Sequence, residues 1–124
     1  MSNLKVQTVK PFVPAKEFEV SLAFYLALGW HALFNENGIA ELALEGNSFF
    51  LQDYYVKAWA NNSMLYVNVE DASAWHEHVS SVLDLRNYGA ARTKAPELQE
   101  YGDLVTHVWD PCGVLLHFAQ RMKK

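Results

Sequence analysis

Two short stretches decide the fold: FVPAKEF (Phe12–Phe18) and, 54 positions later, YVNVEDA (Tyr66–Ala72). Each carries an extended apolar segment into a helix start with an acid at the junction, which predicts an internal repeat. After the first, Phe18, Val20, Leu22, Phe24, Tyr25 and Leu28 form a helical stripe that Gly29 stops. Upstream, LKVQTVKPFV (Leu4–Val13) alternates and is rich in β-branched residues, so it reads as a strand ended by Pro14. Downstream, Trp30–Tyr55 holds two turn signals, Asn35-Glu36-Asn37-Gly38 and Glu45-Gly46-Asn47, which divide three strands of a meander. Residues 4–55 are thus a βαβββ module.

A polar link at Ala58–Ser63 leads to MLYVNV (Met64–Val69), read as a strand. A helix over Ala72–Leu85 follows, with Trp75, Val79 and Val82 on one face, and Gly89 closes the helix region. Three more strands are expected at about Ala91–Lys94, Leu104–Trp109 and Val114–Gln120, the last two joined by Asp110-Pro111-Cys112-Gly113. Residues 63–120 are βαβββ again. The fold class is α+β. A sheet with its helix on one face leaves the other face to be covered, and pairing two such units encloses a cavity.

Composition bounds the function. A chain of 124 residues, 51% apolar and 19% charged, fits one globular domain over residues 1–124. With a net charge of −4 and no basic run longer than Lys123-Lys124, it has no footprint for nucleic acid or anionic lipid. The start, MSNLKVQTVKPF, has no apolar leader, and no stretch of about 18 apolar residues suits a membrane. Cys112 is the only cysteine and sits in an expected tight turn, which suits a reducing, cytoplasmic setting.

FVPAKEFEVSLAFYLALGW (Phe12–Trp30), APELQEYG (Ala95–Gly102) and DPCGVLLHF (Asp110–Phe118), together with the element order, resemble the vicinal oxygen chelate superfamily of glyoxalases, extradiol dioxygenases and bleomycin-resistance proteins. The likeness is greatest to the bleomycin-resistance branch. It implies a homodimer with two crevices at the subunit interface and an N-terminal strand exchanged between subunits, hinged at the proline matching Pro14. Pro14 reads equally as a plain strand terminator.

The superfamily's enzymes hold a divalent metal through His, Gln or Glu on the first strand of each module and on the last strand. The matching residues here are Lys10, Met64 and His117. An ammonium repels a cation, a thioether binds hard ions poorly, and a lone imidazole does not retain them, so neither metal nor other cofactor is expected. A displaced ligand set of His117 with His107, or Glu41, Gln52 and Asp53, keeps a metal-dependent lyase, isomerase or dioxygenase as the alternative. His107 and His117 fall on strands joined by a hairpin, where they face each other as ligands or as structural residues. His76 and His78 read as a solvated helix face, and His31 as a partly buried, hydrogen-bonded residue near a strand start. The sequence contains no G-x-S-x-G, P-loop, G-x-G-x-x-G or H-E-x-x-H motif.

Four tryptophans, six tyrosines and seven phenylalanines remain to be accounted for. In the bleomycin-resistance branch two rings clamp the drug's flat tail, and the resemblance puts Phe34 and Tyr101 at those positions, where the family often has Trp. Phe50, Trp59 and Tyr66 read as further walls or as core and interface packing. Glu36, Glu97, Glu100 and Asp103 lie near these rings in sequence and suit a cationic ligand or plain solvation. The expectation is a dimeric, metal-independent protein that binds and sequesters a planar, drug-like small molecule through Phe34, Phe50, Trp59, Tyr66, Tyr101, His107 and His117, with no catalytic residue. A scaffold or sensor module whose cavity its own side chains fill is the third class.

Overall fold

The computed structural model describes residues 2–122, so Lys123-Lys124 lies outside the described residues. The chain runs β1 (Phe12–Ala15), α1 (Phe18–Leu28), β2 (His31–Glu36), β3 (Ile39–Leu44), β4 (Asn47–Asp53), α2 (Lys57–Asn62), β5 (Met64–Asn68), α3 (Ala72–Leu85), β6 (Arg92–Thr93), β7 (Glu97–Leu98), β8 (Asp103–Trp109) and β9 (Leu115–Arg121). The strands form two sheets, ordered β1-β4-β3-β2 and β5-β9-β8-β6, with β7 also on β8. In each, the first strand runs parallel to the last strand of its module, and the rest are antiparallel. The repeat read from the two short stretches is therefore a repeat of topology.

Its two acids do different jobs. Asp71 caps α3, its side chain accepting from the Ala74 N–H at 2.9 Å, whereas Glu17 precedes α1 without such a bond. Gly29 ends α1 at φ 125, its N–H donating to the Tyr25 and Leu26 carbonyls. Both meander turns use two residues of positive φ, Asn37-Gly38 and Glu45-Gly46, which match the twist of the strands they join.

One apolar core joins both modules. Tyr25 lies at its centre, edge-on to Phe24, Trp30 and Phe49, and Trp75 stacks on Phe118 at 4.5 Å from the second module. Tyr25 also donates to Asp110 at 2.6 Å, and the other Asp110 oxygen accepts from the Cys112 and Val114 N–H groups. The Asp-Pro-Cys-Gly turn is thus anchored in the core.

Several expectations need correction. Leu4–Val13 is a strand only from Phe12, because among the described residues the upstream ones have no neighbouring strand to complete a ladder; Leu4, Val6 and Val9 are exposed. Pro14 does not end β1; it sits inside it, buried opposite Gln52, so the segment leaves the sheet at Pro11 instead. The polar link is helix α2, and β7 is a short strand that the sequence pattern does not show, whereas α3 spans Ala72–Leu85 as expected. His31 is exposed, at the free edge of its sheet.

Candidate ligand-binding site

Strand register builds two rows of side chains on the faces turned away from the core. Across the first sheet, Phe12, Phe50, Glu41 and Phe34 are lateral neighbours on β1, β4, β3 and β2. The rings of Phe12 and Phe34 lie 4.9 and 6.1 Å from that of Phe50. Across the second sheet, Tyr66, His117 and His107 are neighbours on β5, β9 and β8, with ring separations of 5.3 and 5.2 Å. Because the modules repeat, Tyr66 stands where Phe12 stands and His117 where Phe50 stands.

Each row is built around an acid that the chain neutralises itself. Glu41, buried beneath the phenylalanines, accepts from Lys10 Nζ at 2.8 Å and from the Ser48 hydroxyl at 2.8 Å. The hydrogen bond from Lys10, then that from Ser48, holds its carboxyl below the usual value. Asp103, only 2% exposed, accepts from Tyr66 Oη at 2.7 Å and from Arg121 Nε at 2.8 Å. Those bonds, Tyr66 first, hold its carboxyl low as well. Burial, together with contacts to Tyr101 and Asp103, pushes the Tyr66 phenol up.

His107 and His117 do face each other across the hairpin. The His107 carbonyl accepts from the Lys94 N–H on the far side, so the pair is of the close, non-hydrogen-bonded kind. Burial lowers both imidazoles, which favours their neutral forms, and each Nδ1 is buried without a partner. His117 Nε2 lies 3.4 Å from Met64 Sδ. Beside them the Arg92 guanidinium lies 3.7 Å from the Trp109 ring centre.

The donors do not fit the superfamily's hard divalent metal. Lys10 is held by Glu41, Met64 offers only sulfur, and among the described residues no three His, Cys, Asp or Glu side chains converge to hold an ion. The distribution of acids also differs from the sequence pattern: Asp103 is engaged by Arg121 and Tyr66, and Glu97 lies 3.5 Å from Lys94, while Glu36 and Glu100 are exposed.

Of the sequence-derived candidates, the structure brings Phe34 to Phe50, and Tyr66 to Tyr101, His117 and His107. Trp59 stands apart on α2, where its ring meets Tyr54 at 6.1 Å. Sequence reasoning missed Phe12 and Arg121, and it took Asp103 for a free acid. Phe12 was within reach, since it is the repeat partner of Tyr66. Arg121 was not, because only strand register sets it opposite Asp103. A separate groove of about 910 Å³ follows β5, the edge strand of the second sheet, and is walled by Trp30, Phe49 and Trp75; it shares only Tyr66 with the candidates.

No family model matches the chain. A bleomycin resistance protein from Klebsiella pneumoniae is 27% identical over 114 residues, which span 89% of either chain. A bleomycin-binding protein solved in complex with bleomycin superposes with a TM-score of 0.77 at 25% identity, over 93% of this chain and 98% of the other. A glyoxalase-related enzyme from Fulvimarina pelagi shares the fold alone, with a TM-score of 0.70 at 18% identity over 93% of this chain and 88% of the other. With its two βαβββ modules, the chain has the fold of the glyoxalase/bleomycin resistance/dioxygenase, or vicinal oxygen chelate, superfamily and is similar in sequence to its bleomycin-resistance proteins.

Proposed function

We propose that the chain, as one domain over residues 1–124 with modules at 4–55 and 63–120, sequesters a planar, drug-like molecule between two copies of itself, without a resident metal or other cofactor. The observation that carries this reading is the pair of exposed aromatic rows, one per sheet, that no ring contact or hydrogen bond joins within one chain among the described residues. Phe12, Phe34 and Tyr66 are 48%, 39% and 47% exposed, more aromatic surface than a solvated face needs. Setting the first row of one copy against the second row of its partner makes a two-walled cleft. Phe34 and Phe50 form one wall, Tyr66 and Tyr101 the other, and His107 and His117 the floor, while Trp59 stays outside it on α2. The likeness to a protein solved with bleomycin supports an antibiotic of that kind as ligand. Exposed Glu36 and Glu100 suit a cationic group on it.

The dimer reading has its own support. Among the described residues the alternating segment Leu4–Val9 pairs with no strand of its own chain, and the groove along β5 offers an unpaired strand edge. Exchange of this segment between copies, pivoting at Pro11, satisfies both. We place the protein in the cytoplasm on its one free, half-buried thiol, Cys112. Protection then works by mass action, with bound drug withheld from its target. Titrating the metal-stripped protein with bleomycin and following its tyrosine and tryptophan fluorescence tests the function. Saturable quenching that chelator leaves unchanged is expected; no response, or one restored only by added metal, overturns it.

A further inference from the structure

We infer that Asp103 is a positioning residue for the ligand cleft: its buried carboxylate fixes Tyr66 and, through Tyr66, the loop residue Tyr101 in the orientation that receives a flat ligand. This rests on the sequestration reading for what is bound, but the arrangement itself is a property of the ligand-free chain. Asp103 is 2% exposed, while the tyrosines above it are 47% and 62% exposed. A carboxylate with no access to water must spend its oxygens on protein donors, and here each oxygen has one. Oδ1 takes Arg121 Nε at 2.8 Å, from the residue directly opposite on β9, and Oδ2 takes Tyr66 Oη at 2.7 Å.

Proton accounting orders the rest of the chain of contacts. Tyr66 has a single hydroxyl proton, and the shorter bond commits it to Asp103. The 3.2 Å contact between the two phenols is therefore made by the Tyr101 hydroxyl donating to Tyr66 Oη. Tyr101 follows the short β7 and precedes Gly102 at φ 103, so the described hydrogen bond of its side chain is this one. Both rings are ordered before any ligand arrives, which spares binding the entropy of ordering them. Asp103, read from sequence as an attractor for cations or a solvated loop acid, is instead sealed from the ligand.

The test compares Asp103→Ala, Asp103→Asn and Tyr66→Phe with the parent chain by two readouts. The first needs no ligand: ultraviolet titration of the tyrosines, in which the late ionisation of Tyr66 should move to lower pH in Asp103→Ala. The second is the Kd for bleomycin, expected to rise about tenfold in Asp103→Ala and Tyr66→Phe, as for loss of a hydrogen bond to a charged group. In Asp103→Asn the rise should be smaller, because the amide oxygen still accepts from Tyr66. A folded Asp103→Ala with unchanged tyrosine ionisation and unchanged Kd overturns the inference, as does a lower Tm with both readouts unmoved. Should Asp103→Ala fail to fold, Tyr66→Phe decides, since it keeps the Asp103–Arg121 pair: an unchanged Kd overturns the inference. A parent chain that ignores bleomycin refutes the ligand reading alone, and tyrosine ionisation then decides the positioning by itself.

Discussion

Replacing Asp110 by Asn should make the chain's stability respond differently to pH, in a direction and size the structure sets. Burial raises the Asp110 carboxyl to about 6 from an ordinary 3.8, against the lowering effect of its bonds from Tyr25, Val114, Cys112 and Gly113. A carboxyl raised on folding binds its proton more tightly in the folded state. Its contribution to stability is thus fully present below about pH 3.8 and is lost as pH rises through about 6. The difference between those values corresponds to about 3 kcal/mol, as an order of magnitude. Glu41 and Asp103 act in the opposite sense, since their lowered carboxyls lose stability as pH falls. Both are unchanged in Asp110→Asn, so they cancel when the two proteins are compared. Urea denaturation of both from pH 4 to 7.5 is the assay. The parent chain should gain on the variant by about 3 kcal/mol as pH falls through this range, with little change above about 6.5. A constant difference across the range would refute the buried, proton-holding role given to Asp110.

Further outcomes can be checked alongside it. Phe34→Ala and Tyr101→Ala should each weaken bleomycin binding about two- to tenfold, the worth of one stacked ring, in the same fluorescence titration. Lys10→Met leaves buried Glu41 without its cation and should lower Tm at pH 7. That loss should begin to shrink as pH falls below the ordinary carboxyl value of 4.5 and vanish only below the lowered folded-state value, where Glu41 is protonated in both states. Gly38→Ala puts a Cβ at φ 76 and 3.3 Å from that of Asp53, which should cost about 1–2 kcal/mol in urea denaturation. Removing residues 2–9 should shift sedimentation from dimer towards monomer, if the exchanged segment is what holds two copies together.

The sequence made the repeat legible because both halves carry the same periodicities, and periodicity follows from which face each element buries. That is why α3 was bounded to the residue and the meander turns were placed at Asn37-Gly38 and Glu45-Gly46. The N-terminal segment was misread for a reason that periodicity does not contain. Alternation makes Leu4–Val13 competent to pair, but a strand needs a neighbour, and the chain supplies one only from Phe12 onwards. Site residues divide in the same way. His107 opposite His117 was legible because a tight hairpin fixes register locally. The Asp103–Tyr66 bond joins residues 37 apart in the chain, and no local rule pairs an acid on β8 with a phenol on β5. For that reason Asp103 looked like a loop acid open to ligand.

The most direct test of the account is native mass spectrometry of the purified chain, desalted, titrated with bleomycin and repeated after chelator treatment. Two chains carrying up to two bleomycin molecules, with the same uptake after chelation, is the expected result. A monomer that takes up bleomycin unaided, a dimer that takes up none, or uptake that chelation abolishes would contradict a metal-independent cleft built from two copies.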